Sequence, residues 1–188
     1  MKTKTFSNRS GFTLIEMLVV IAIIAILAGL LFPAINRALE TAKRNQAAAD
    51  VRSIAAAITM FYSEYGYLPI PFSDQGTVAD RDDDNDGATL TPAESQRIIQ
   101  VLTAVPRGHN DNHQLNPRRK VFLSSPNFNE DGKFLDPWDR QYIIKLDTNF
   151  DGVIEFNGVN HRTRVVVASG GRNNKLFGSD NTAITNVQ

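Results

Sequence analysis

Residues 12–32 form an almost wholly apolar run in which Thr13 and Glu16 are the clearly polar members. As an α-helix rising ~1.5 Å per residue, the run spans roughly the 30 Å hydrocarbon core of a bilayer. Apolar residues cover every face from Met17 to Phe32, so this is not the one-sided helix of a soluble core. A secretory signal fits poorly, because its apolar region is about 7–15 residues long and carries no Glu. Residues 25–28 mimic a small-residue cleavage site, yet helical sequence continues past them. The reading is a membrane anchor. Lys2, Lys4 and Arg9 precede it, which places the N-terminus in the cytoplasm and the rest of the chain outside. An ionised carboxylate within such a helix costs about 2.5–3.5 kcal/mol, so Glu16 calls for a partner or a purpose.

The stretch Ser10-Gly11-Phe12-Thr13-Leu14-Ile15-Glu16, leading into that run, resembles the class III signal of type IV pilins and of type II secretion pseudopilins. The resemblance implies that residues 1–11 are a basic leader removed by a prepilin peptidase. The cut falls between Gly11 and Phe12, and Phe12 becomes the N-methylated first residue. Glu16 then pairs with the terminal amine of Phe12 in a neighbouring subunit. The spacing suits this chemistry, since cleavage creates a charged amine little more than one helical turn from Glu16. Within an apolar bundle either charge alone is heavily penalised, so pairing rewards assembly and sets the stagger of a filament.

Ala22, Ala25, Ala28 and Gly29 place small residues at three- and four-residue spacings, which permits close helix approach. Equally, Ala and Gly are common in membrane helices. Pro33 removes one backbone donor and is expected to kink or loosen the helix. The family resemblance implies partial unwinding over residues 29–33 in the assembled filament. Beyond Pro33 the pattern becomes amphipathic. Ala47, Val51, Ile54, Ile58, Phe61 and Tyr65 form a narrow stripe of period near 3.5, with Arg37, Lys43, Arg44, Asp50 and Arg52 on other faces. The stripe is read as packing on the chain's own head, with a coiled-coil dimer as the alternative. Gly66 suits a left-handed cap, and Pro69 and Pro71 forbid continuation. The expected organisation is a membrane helix over 12–32, its amphipathic continuation over 33–66, and a head over 67–188.

The head is long enough for one modest core. Twenty basic and twenty acidic residues balance, which argues against a nucleic-acid partner. The chain has no cysteine, so disulfides cannot tie the loops. Thr91, Pro92 and Glu94 signal a capped second helix continuing through Ile98, Ile99, Val101, Leu102 and Val105, ended by Pro106-Arg107-Gly108. Short strands are predicted at 120–123, 141–146, 153–156 and 164–168. The fold class is therefore α+β: a long N-terminal helix against a small antiparallel-sheet head with one additional helix.

Three loops carry candidate calcium ligands. Asp147, Asn149 and Asp151 precede Gly152 at alternate positions, as Ca²⁺ loops require, but Gly158 stands where the closing Glu belongs, with Glu155 the nearest carboxylate. A hairpin turn bent at Asp151-Gly152 is the competing reading. Asp82, Asp84 and Asp86 before Gly87 match the opening of an EF-hand loop, against the alternative of a solvated acidic turn. Finally, Asp136-Pro137-Trp138 and the segment from Val165 onward resemble the head of the major pseudopilins, whose C-terminal loop binds Ca²⁺. Here Ser169-Gly170-Gly171-Arg172-Asn173-Asn174 carries no carboxylate, leaving Asp180 with backbone carbonyls as the candidate.

Nothing recommends catalysis. His109 and His113, with Asp111 between them, could suggest a metal pair, but they lie in a stretch rich in Gly and Asn that reads as a loop; Arg118-Arg119-Lys120 reads as a solvated strand entrance, with a partner contact as the alternative. Trp138 reads as a core anchor. The expectation is a structural subunit, not an enzyme. By the resemblance it sits in the bacterial inner membrane with a periplasmic head and polymerises into a type II secretion pseudopilus. Its implied partners are copies of itself, prepilin peptidase, the inner-membrane assembly platform, minor pseudopilins and membrane lipid. A surface pilin for adhesion, motility or DNA uptake is the near alternative. A membrane-tethered calcium-binding enzyme or sensor is the distant one.

Overall fold

The structure is a computed structural model that describes residues 14–71, 91–124, 133–172 and 184–187. Contacts divide the chain into two units, Met1–Ala42 and Lys43–Gln188. One helix, α1 (Leu14–Tyr65), begins in the first unit and ends in the second.

From Met17 to Phe32 α1 is apolar around its whole circumference, and throughout the first unit its described side chains are almost all exposed. The helix passes unbroken through Pro33, so the unwinding expected over 29–33 is absent from the single chain. Proline deletes one hydrogen bond here, while the long helical arms on either side retain theirs and keep the turn in register.

In the second unit the amphipathic stripe meets the head. Ala47, Val51, Ile54, Ile58 and Phe61 are fully buried, and Tyr65 is half-buried. This is packing on the chain's own domain, as the spacing predicts. The buried face is wider than the stripe, because Asp50, Ala55 and Ala57 are also enclosed, the breadth a globular core demands of a helix. Gly66, at φ +76°, donates its N–H to the Tyr62 carbonyl at 2.8 Å and ends the helix.

Helix α2 (Pro92–Leu102) has the expected capping box. The Thr91 hydroxyl accepts the Glu94 N–H, and the Glu94 carboxylate accepts the Thr91 N–H at 2.8 Å. It stops sooner than predicted. Ala104 turns left-handed at φ 58°, which leaves Val105 outside the helix and exposed. Ile98, Ile99, Val101 and Leu102 face the core. Each such side chain contributes about 1.5–3 kcal/mol on burial. A 3-10 segment, Gly108–His113, follows where the sequence pattern predicts a plain loop.

Among the described residues, five short strands follow in the head: β1 (Ile143–Leu146), β2 (Ile154–Phe156), β3 (Val159–His161), β4 (Val165–Ser169) and β5 (Ile184–Thr185). They form an antiparallel sheet of order β1-β4-β5, with Ile143 opposite Ala168 and Leu146 opposite Val165, and a separate hairpin β2-β3. All five residues of β4 are buried. Val165 and Val167 join the main core, while Val166 and Ala168 meet Ile154 and Phe156 of the hairpin. A strand covered on both faces has no reason to alternate, which explains its unbroken Val-Val-Val-Ala.

Two strand boundaries differ from expectation. Segment 120–123 forms no ladder; Phe122 and Leu123 instead donate to the Leu102 carbonyl at the end of α2. Gln141 makes only an isolated bridge, to Leu135. Strands β3 and β5 lie outside the predicted segments. For β3 a signal exists: Asn157-Gly158, with φ 55° and 75°, is the two-residue turn that hairpins prefer.

Candidate functional site

The most chemically pointed element is the start of α1. Glu16 lies in its first turn, where a carboxylate faces the positive end of the helix dipole. Gly11 and Phe12 lie outside the described residues. From Leu14 onward the helix is long and apolar enough to cross a membrane, and none of that stretch is buried within the chain. Leu14, Ile26 and Leu30 are 83%, 64% and 74% exposed. So much apolar surface needs lipid or other helices around it. At Gly29 a Cβ would meet nothing within 4 Å, so its small size serves no packing among the described residues.

Further along, polar side chains lock the head beneath the helix. Asp50, placed by periodicity off the apolar stripe, is nonetheless buried; it accepts from Gln46 Nε2 and from the Tyr142 hydroxyl, both at 2.9 Å. Burial and this carboxylate together push the Tyr142 phenol far above its ordinary pKa. The spacing does carry a signal, since Asp50 is three residues after Ala47 and four before Ile54. Asn116, also buried, accepts the Tyr65 hydroxyl at 2.7 Å and donates to the carbonyls of Val101 and Lys120 at 3.0 and 2.8 Å. Its own N–H goes to Asn110, also buried. Sequence reasoning takes this segment for solvated loop, because buried Asn and exposed Asn look alike in one dimension.

The basic run is more than a solvated entrance. Arg118 and Lys120 both grip Glu64, at 2.5 and 2.9 Å, and these bonds hold the Glu64 carboxyl below the usual range. In the Asp-Pro-Trp loop the anchor is Asp136. One of its oxygens accepts the N–H groups of Trp138 and Arg140, and the other accepts the Ser169 hydroxyl at 2.6 Å. Trp138 is only half-buried and belongs to neither apolar cluster among the described residues. Its expected role as core anchor passes to Phe134 and Tyr142, whose rings stack at 5.2 Å.

Of the candidate calcium ligands, Asp82, Asp84, Asp86 and Asp180 lie outside the described residues. The described start of the C-terminal loop is committed elsewhere: Arg140 donates to the carbonyls of Gly171 and Arg172 at 2.6 and 3.4 Å, and Ser169 accepts the Gly171 N–H. Those groups do not fit a calcium cradle. Asp147, Asn149 and Asp151 are described, in the connection from β1 to β2. His109, Asp111 and His113 sit in the 3-10 segment, and no group of three or more His, Cys, Asp and Glu side chains converges among the described residues.

A membrane-length helix that runs into an α+β head of this layout defines a type IV pilin-like protein. Residues 6–32 match the prokaryotic N-terminal methylation motif. The chain is 30% identical over 140 residues to type II secretion system core protein G of Pseudomonas aeruginosa, an alignment covering 72% of each protein. It belongs to that family, the major pseudopilins. No solved structure matches it.

Proposed function

We propose that this protein is the repeating subunit of a type II secretion pseudopilus, a structural part and not a catalyst. The observation that carries the reading is Glu16 at the head of an apolar helical stretch with no buried residue, in a chain whose second unit packs the continuation of that helix into its core. Prepilin peptidase removes residues 1–11, Phe12 is methylated, and its new amine meets Glu16 of the next copy. The helix is held in the inner membrane until the platform extracts it, and the head travels in the periplasm. Growth of the filament drives folded proteins toward the outer membrane.

Intact-mass measurement of membrane-extracted protein tests processing. Loss of the first eleven residues plus one methyl group is the expected result, and an uncut leader points to a simple tether. Glu16→Leu tests pairing. The variant should insert in the membrane as well as the parent but give few filaments, and parental filament yield contradicts the pairing role.

A further inference from the structure

The connection between β1 and β2 reads Asp147-Thr148-Asn149-Phe150-Asp151-Gly152. Oxygen-bearing side chains at alternate positions before a glycine suit a hard divalent cation, but the same pattern describes a plain turn. Burial of Asp147 separates the two readings. The residue is 1% exposed, and its Oδ2 accepts the Gly152 N–H at 3.0 Å, from the far end of the loop. The carboxylate therefore points into the loop. Its second oxygen, Oδ1, is buried and has no hydrogen-bond partner among the described residues. The hydroxyl of Thr148, equally buried, also has none.

No side-chain cation reaches Asp147 among the described residues. Arg118 and Lys120 are engaged at Glu64, and Lys145, next but one in sequence, gives its Nζ to the Glu155 carbonyl at 2.7 Å. A turn needs no such group, since a solvated Asp would bend the chain as well. A buried carboxylate oxygen without donor or counter-ion is strongly penalised unless a cation supplies what the protein does not.

We infer that the β1–β2 loop is a binding site for Ca²⁺, with Asp147 Oδ1 as its inner ligand and Asp151 and Asn149 closing it from the exposed side. At present the Asn149 amide donates to Asp151 Oδ2 at 2.9 Å, and Asp151 Oδ1 accepts the Val153 N–H at 2.7 Å. Turning the Asn149 amide over presents its oxygen in place of nitrogen. Two carboxylates and one amide make a weak site, on the order of 10⁻⁴–10⁻³ M, the range of extracellular modules. Bound metal would fasten the end of β1 to the β2-β3 hairpin.

Calcium titration of the full chain in detergent, followed by calorimetry and thermal melting, tests this. The melting temperature should rise by roughly 3–6 °C at a tenfold excess over Kd, and EGTA should reverse the rise. Asp151→Asn, at an exposed position that leaves the fold intact, should weaken binding at least tenfold. Asp147→Asn should abolish it. The double variant Asp82→Asn, Asp84→Asn should bind as the parent does. Melting indifferent to calcium overturns the inference. So does binding that survives Asp151→Asn but is lost in the double variant, which would put the metal in the other acidic loop.

Discussion

The Tyr142 hydroxyl donates to Asp50 Oδ2 at 2.9 Å, joining the residue just before β1 to the buried face of α1 across 92 positions of sequence. Both residues are buried: Tyr142 is 0% and Asp50 6% exposed. This bond gives a hydrophobic seam one directional contact, and with it a preferred rotation of the helix beneath the head.

Tyr142→Phe should lower stability by about 1–3 kcal/mol, because it leaves a buried carboxylate oxygen without its donor. Replacing both residues, Tyr142→Phe with Asp50→Leu, should recover part of that loss. Urea unfolding of the four proteins in the cycle measures the coupling, and a value near zero contradicts the assignment. The phenol's pKa is raised above its ordinary 10.0. The folded state thus holds the proton more tightly, so this contribution is complete below pH 10 and declines as pH rises beyond it.

The acid limb runs the other way. Glu94 is held below its ordinary 4.5 chiefly by the Thr91 N–H, and Glu64 below 4.5 by the hydrogen bonds of Lys120 and Arg118. The folded state binds these protons less well than the unfolded chain, so the stabilisation is present above pH 4.5 and lost as pH falls through the lowered values. The Glu64→Gln, Glu94→Gln double variant should melt below the parent at pH 7, and the gap should close as the medium is acidified. A gap that persists unchanged in acid rules out this linkage.

Asn116→Ala should cost about 2–4 kcal/mol, since it removes a donor from the carbonyls of Val101 and Lys120 and the acceptor of the Tyr65 hydroxyl. Asn116→Asp should be nearly as damaging, because a carboxylate cannot donate to either carbonyl. Melting curves that rank the Asn116→Asp variant with the parent would show that the donor side of this hub is unimportant.

Arg140→Met should loosen the turn at 170–172, whose carbonyls its guanidinium holds. Hydrogen exchange should quicken there and along β5, which pairs with the end of β4. Arg140→Lys should rescue little, since one ammonium lacks the fork needed to span two carbonyls. Full rescue by lysine would reduce the contact to simple charge.

Much of this architecture is visible along the chain. The apolar run marks the membrane-length helix because no other environment accepts some twenty such residues on every face. Ala47, Val51, Ile54, Ile58 and Phe61 reveal their common burial through helical period, and Thr91-Pro92-x-Glu94 names its own helix start. Such signals are local, set by the geometry of a single element. The methylation motif, likewise contiguous, points to the family without any fold.

Other features depend on residues far apart in sequence, and only the folded chain reveals them. Asp50 resembles any solvated helical Asp until Tyr142 arrives above it. Asn116 becomes a hub because α1, α2 and its own loop converge on one amide, and Arg140 finds the 170–172 turn only through the bend at Asp136. Periodicity reports which face is apolar, whereas a polar group's fate rests on whether a partner is brought within hydrogen-bonding distance. That distance is fixed by packing in three dimensions, which is why the sequence alone established the helix, the caps and the family, and the tertiary structure decided which polar residues hold the head together.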